Sequence, residues 1–194
     1  MPLPWIAFVV LWLGWAVSWR LAAGWATAPS ASAPVDRGNY RWLTVIGAAL
    51  IFLPRIIPLE GARTALALYT PGDAFTWLCV ALVAAGFAFC WWARVHLGAL
   101  WSAAVTRKDD HRIIDTGPYG LVRHPIYTGI ILAALATALA EGTLIAFIGA
   151  ALFAASFYIK ARLEENLLRN ELGAAAYSSY SARVPMLVPF SPFG

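Results

Sequence analysis

The chain has 194 residues, of which 61% are hydrophobic and only 12% charged, with ten Trp and a formal net charge of +4. A soluble domain carries about twice that share of charge, so the composition excludes an ordinary water-soluble globule and reads as an integral membrane protein. The positive balance is a matter of where the basic residues sit and does not call for nucleic acid.

Five apolar stretches follow in order, at residues 5–28, 42–59, 75–96, 126–140 and 143–159. The first three meet the ~20 residues that a helix needs to cross a bilayer. The first reads as a retained helix although Ala31-Ser32-Ala33 resembles a cleavage site, because no Lys or Arg precedes it and its apolar run is too long for a signal peptide. Residues 29–34, rich in Pro, Ser and Ala, form a linker, and Pro54, Pro58 and Pro71 bracket a loop around residues 60–74. Cys79 and Cys90 share the third stretch; their helical separation of about 16 Å forbids a disulfide, and both read as small packing residues. Two Cys and three His at scattered positions offer no metal-ligand spacing, so no metal is expected.

A polar segment separates the third and fourth stretches. It gathers Arg107, Lys108, Asp109, Asp110, His111, Arg112, Asp115, Arg123 and His124. A solvated loop would explain the charges alone. The order of residues adds more: Gly117-Pro118-Tyr119 turns the chain, and Arg123-His124-Pro125-Ile126-Tyr127 opens the next helix, with Pro125 at its first position. A guanidinium and an imidazole then stand beside helix N–H donors, an arrangement suited to a polar cofactor.

The fourth and fifth stretches are short and separated only by Glu141-Gly142, which predicts a tight helical hairpin. A fifteen-residue helix rises only about 22 Å, so the hairpin would sit unevenly in the bilayer. One unbroken helix would strand Glu141 in mid-membrane at high cost. Residues 160–172 continue as an amphipathic helix, with Leu163, Leu167, Leu168 and Leu172 at helical spacing. Lys160 with Glu164 and Glu165 with Arg169 are i,i+4 pairs, for which a surface salt bridge is the plain reading. Gly173 should end that helix. Tyr177 and Tyr180 share a face as interfacial packing, and the chain closes in an extended tail after Arg183.

Of the fourteen Lys and Arg, all but Arg55 and Arg63 fall in or beside residues 29–41, 97–125 and the C-terminal segment. The positive-inside tendency puts those segments in the cytoplasm and the N-terminus outside, with five spans. The expected fold is an all-α polytopic membrane protein, with about five transmembrane helices, a C-terminal helical hairpin and an amphipathic tail helix. Residues 1–95 would be scaffold and 96–194 the chemical half of one integrated domain.

The second half also resembles a known family. The string runs from Leu97-Gly98 and Trp101-Ser102 through Lys108-Asp109 and His111 to Gly117-x-Tyr119, then Arg123-His124-Pro125-x-Tyr127-x-Gly129. After the hairpin come Glu164-Glu165, Leu172-Gly173, Tyr177, Tyr180, Arg183-Val184-Pro185 and Pro189-Phe190. In that order they resemble the isoprenylcysteine carboxyl methyltransferases and related membrane phospholipid methyltransferases. Leu172 replaces the family's usual Phe, and one extra residue precedes Tyr177.

The resemblance implies S-adenosylmethionine-dependent methyl transfer to a lipophilic acceptor that enters from the bilayer, at the cytoplasmic face of what is expected to be a bacterial inner membrane. It implies Arg123 and Glu164 as catalytic residues. His111, Gly117, Tyr119, His124, Pro125, Tyr127, Glu164 and Glu165 would bind cofactor, and Arg123, Arg183 and Trp101 would bind acceptor. Arg183 reads equally as a membrane-surface cation. Two other classes compete. An NADPH-dependent reductase of the sterol-reductase type shares an Arg-His-x-x-Tyr motif, but Glu164-Glu165 would repel the 2′-phosphate. A non-catalytic membrane assembly protein would bind no cofactor.

Overall fold

Apolar side chains recur around the whole circumference of the long segments, so the chain folds as helices that bury their backbone polar groups internally, as a bilayer demands. The computed structural model describes residues 2–25, 40–56, 61, 65–98, 114–172 and 174–191. Six α-helices occupy them: α1 Leu3–Ala22, α2 Tyr40–Ile56, α3 Asp73–Leu97, α4 Pro125–Glu141, α5 Leu144–Leu172 and α6 Ala174–Arg183. Short 3-10 turns lie at Ala23–Trp25 and Gly117–Gly120. Among the described residues the extended structure is limited to one isolated bridge, Ala67 with Thr143. The all-helical expectation holds. Leu3–Ala22, Asp73–Leu97 and Leu144–Asn170 are long and apolar enough to cross a membrane, and Pro125–Glu141 is a shorter apolar helix.

Several helix ends have a chemical cause. Pro4 and Pro125 stand in the first turns of α1 and α4, where a missing N–H costs no helical bond. Asp73 lies in the first turn of α3 and Arg94 and His96 in its last, matching the helix dipole at both ends. The hairpin forms as expected. Gly142 caps α4 in the left-handed region at φ 66°, donating to the Ala138 carbonyl, and α5 starts two residues later. The second arm is not short, however. α5 runs unbroken for 29 residues, about 44 Å by helical rise, so the apolar stretch and the amphipathic segment are one rod that carries residues from the core to the site.

Arg55 holds Glu141 at the hairpin turn, Nε to Oε1 at 2.9 Å, while its guanidinium lies 3.8 Å over the Trp5 ring. Leu68 N–H to the Gly142 carbonyl and Leu144 N–H to the Leu66 carbonyl strap the loop before α3 across this end.

α4 is the centre of the bundle. Its small side chains Ala133, Ala136 and Ala140 pack with Cys79, Val83 and Phe87 of α3 and with Phe8 of α1. On its other flank Ile130, Ala134 and Ala138 meet Ala146, Ala150 and Phe153 of α5 and Ile51 of α2. Without a hydrophobic drive between helices in lipid, close approach of small residues supplies the attraction. A Cβ on Gly86 would stand 2.5 Å from the Gly129 carbonyl oxygen, which leaves room for glycine alone at that crossing. Gly129 therefore serves packing of α4 on α3. Cys79 and Cys90 are buried, unpaired packing residues, and Cys90 Sγ contacts the Ile126 carbonyl oxygen at 3.2 Å.

Candidate active site

The N-terminus of α4 and the polar end of α5 meet at one mouth of the bundle. Arg123, His124 and Glu165 are 6%, 8% and 3% exposed, so this is a buried charge cluster and not a solvated loop face. Burial of that much charge is stable only with good partners. Arg123 Nε donates to Glu165 Oε1 at 2.7 Å, and Arg123 Nη1 donates to the carbonyls of Ser181 at 2.9 Å and Val184 at 2.5 Å. The His124 ring stands between the two acids, with Nε2 3.3 Å from Glu165 Oε1 and Nδ1 3.6 Å from Glu164 Oε2. Tyr127 donates its hydroxyl to Glu164 Oε1 at 2.5 Å, and its ring stacks on His124 with centroids 5.3 Å apart. Lys160 Nζ lies 4.0 Å from Glu164 Oε1 and 5.1 Å from the Tyr127 ring centroid.

Spacing explains the gathering. Arg123 and His124 precede the helix and so approach α5 from the loop, while Tyr127 reaches back from the first turn of α4 toward the same helix end. Adjacent Glu164 and Glu165 diverge by about 100° around α5, which lets one acid face Tyr127 and the other face Arg123. Burial by itself would lower the His124 pKa; contact with Glu164 and Glu165 outweighs it and holds the ring above its ordinary 6.5. When the ring is protonated both of its nitrogens act as donors, one toward each acid.

The C-terminal segment completes the cluster. Arg123 N–H donates to the Pro185 carbonyl at 2.9 Å, His124 N–H to the Met186 carbonyl at 3.1 Å, and Thr128 Oγ1 to the Leu187 carbonyl at 2.7 Å. The expected free donors just before α4 are thus taken by the chain itself, because an unpaired buried N–H is costly. Residues 184–191 do not trail away as an extended tail; Pro185, Met186 and Leu187 turn against the site.

Three readings change on this geometry. Glu165 is no surface acid paired to Arg169; it is the buried partner of Arg123, and Arg169 lies over the Tyr177 ring at 5.6 Å. Tyr177 and Tyr180 are buried rather than interfacial. Burial and then the charge and hydrogen bond of Glu165 push the Tyr177 phenol above its ordinary 10.0. Tyr180 donates to the Tyr119 carbonyl at 2.8 Å. The Lys160–Glu164 pair is present, but as part of the cluster.

Of the other expected site residues, Gly117 and Tyr119 form the turn beside the cluster, and Pro125 opens α4. Gly117 has φ 58°, and a Cβ there would lie 2.9 Å from the His96 ring, so the turn requires glycine twice over. Arg183 is on the surface, its Nη2 3.4 Å from Asp115 Oδ2, a pairing worth little in water. Trp101 and His111 lie outside the described residues. The sequence reading did not foresee the carbonyls of Ser181 and Val184 as partners of Arg123, since main-chain acceptors carry no residue signature. Tyr-x-x-Tyr at helical spacing was the one available signal for α6.

A membrane-type helical bundle with a largely buried, partnered charge cluster at one mouth defines a polytopic membrane protein. Residues 78–170 match the sequence model of the isoprenylcysteine carboxyl methyltransferase (ICMT) family, which supports a membrane methyltransferase. The matched stretch begins in α3 and ends in α5, so it contains Arg123, His124, Tyr127, Glu164 and Glu165 but not their α6 partners. Among curated proteins, none matches the chain.

Proposed function

We propose that the chain is an S-adenosylmethionine-dependent methyltransferase of the isoprenylcysteine carboxyl methyltransferase type, acting on a lipophilic acceptor, with a carboxylate favoured, at the cytoplasmic membrane face. The observation that carries this reading is the set of buried Arg123, His124, Tyr127 and Glu165 with half-buried Glu164, assembled at one helix mouth within the family-matched stretch. Residues 96–194 would carry the chemistry and residues 1–95 the scaffold, with the C-terminus cytoplasmic and the N-terminus outside.

The donor set fits the cofactor. Two carboxylates offer acceptors and negative charge to an ammonium group and a ribose diol, whereas the 2′-phosphate of NADPH would meet repulsion. S-adenosylmethionine would supply a methyl group on positively charged sulfur, which departs as a neutral thioether. The task of the protein is alignment and exclusion of water. Glu164, whose side chain is 21% exposed, is the acid open to a ligand, and Tyr127 and His124 fix its two oxygens. Glu165 instead holds Arg123. A two-pronged grip by Arg123 on an acceptor carboxylate would use the Nη1 edge and compete with Ser181 and Val184, so its first duty is to hold the wall of the site. A carboxylate acceptor arrives ionised and needs no general base. An amine would need one, and contact with Glu164 and Glu165 raises the pKa of His124, the imidazole of the site.

Titration of the purified full-length protein in detergent with S-adenosylhomocysteine and, separately, with NADPH tests the reading. Saturable binding of S-adenosylhomocysteine alone is expected. Binding of NADPH instead would make the protein a reductase, and binding of neither would favour an assembly role.

A further inference from the structure

We propose that Tyr180, with Tyr177 one turn before it, is a positioning residue that holds the Gly117–Gly120 turn at a fixed distance from the acid pair on α5. Its effect on cofactor affinity rests on the methyltransferase reading above; the brace itself does not.

Three residues of separation put both phenols on one face of α6, yet they reach opposite walls of the site. Burial and the charge of Glu165 on α5 raise the pKa of the Tyr177 phenol. The Tyr180 hydroxyl donates to the Tyr119 carbonyl at 2.8 Å, and both rings are buried and packed edge to face at 6.2 Å. The turn has weak internal support: Tyr119 N–H to the Thr116 carbonyl and Leu121 N–H to the Pro118 carbonyl are both 3.2 Å. On its outer side His96 contacts Thr116 Oγ1 at 3.0 Å and lies against the Tyr119 ring. Tyr180 is the inner restraint. α6 is itself fixed where it must be, since Arg123 Nη1 holds the carbonyls of Ser181 and Val184 just past Tyr180. A space-filling ring would be replaceable by Phe. A buried carbonyl deprived of its donor would not be indifferent to that change.

The test compares wild type, Tyr180→Phe and Tyr177→Phe as full-length proteins in nanodiscs, by melting temperature, S-adenosylhomocysteine affinity and amide exchange. Tyr180→Phe should speed exchange at Tyr119, Leu121 and Val122 and weaken S-adenosylhomocysteine about three- to tenfold, the range of one lost hydrogen bond. Its melting temperature should fall modestly, by the cost of one unsatisfied buried carbonyl. Tyr177→Phe should weaken the ligand without altering exchange at the turn. Exchange at the turn unchanged in Tyr180→Phe overturns the brace, as does a lower melting temperature with unaltered ligand affinity. If wild type binds no S-adenosylhomocysteine the methyltransferase reading fails, and exchange at the turn alone then decides the brace.

Discussion

Glu164 and Glu165 are adjacent acids on the polar end of one helix, and their surroundings give them different work. Glu164 has an accessible edge and meets Tyr127, His124 and Lys160, whereas Glu165 is sealed against Arg123 and His124. Glu164→Gln should keep the fold and weaken S-adenosylhomocysteine about ten- to a hundredfold, the cost of a charge-assisted hydrogen bond. Wild-type affinity in that variant would return Glu164 to a purely structural pairing. Glu165→Gln should instead destabilise, because it leaves the Arg123 guanidinium buried without its counter-charge; breaking such a pair costs about 3–5 kcal/mol. A melting temperature equal to wild type would refute that. His124 adds a pH signature. Glu164 and Glu165 on α5 face it, the Tyr127 ring stacks on it, and Arg123 is its neighbour, with the net effect of raising its folded value above 6.5. A raised value stabilises fully below the ordinary imidazole range and loses that contribution as pH rises through the folded value. The melting temperature should therefore decline more steeply above neutrality in wild type than in His124→Gln. Parallel declines would show that His124 does not titrate in this way.

The elements depend on crossings that sequence periodicity does not announce. α3 and α4 meet backbone to backbone at Gly86 and Gly129, and the Gly86 Cβ position is filled by a main-chain oxygen that cannot swing aside. Gly86→Ala should separate the helices and lower the melting temperature in detergent; overpacking of this kind costs about 1–3 kcal/mol. An unchanged transition would mean that the crossing yields freely. Much of the element order was legible beforehand: apolar length marked the helices, Pro125 and Glu141-Gly142 marked the bounds of α4, and Arg123-His124 beside Tyr127 marked the site. What stayed hidden was pairing at a distance. Both acids on α5 looked like partners of residues four positions away, and no local pattern could show that the C-terminal segment supplies main-chain carbonyls to Arg123. Tyr177 and Tyr180 were visible as a shared face, but their two opposite targets depend on where α6 docks.

At the scale of the whole molecule, charge is divided between the two ends of the bundle. One end holds Arg55 against Glu141 at the hairpin turn, and the other holds the site with Arg123, Lys160 and Arg183. α4 joins them, with Glu141 at one terminus and Pro125 at the other. If α4 crosses the membrane, the two ends face opposite compartments, and the share of Lys and Arg selects which is inside. In the sequence, twelve of the fourteen basic residues fall in or beside the segments expected on the site side, with Arg55 and Arg63 the exceptions. Under the proposed reading that asymmetry would put the site in the cytoplasm, where a soluble nucleoside cofactor would reach it, while a lipophilic acceptor would arrive laterally between helices. A C-terminal fusion to a reporter enzyme that works only outside the cytoplasm should accordingly be silent, and the same reporter inserted in the loop around residues 60–74 should be active. An active C-terminal fusion in an intact, folded protein would mean the opposite insertion or an even number of spans, and would put the site on the side where the proposed cofactor is not made. The paired insertions separate those outcomes: inversion exchanges the two signals, whereas an even span count leaves both reporters active.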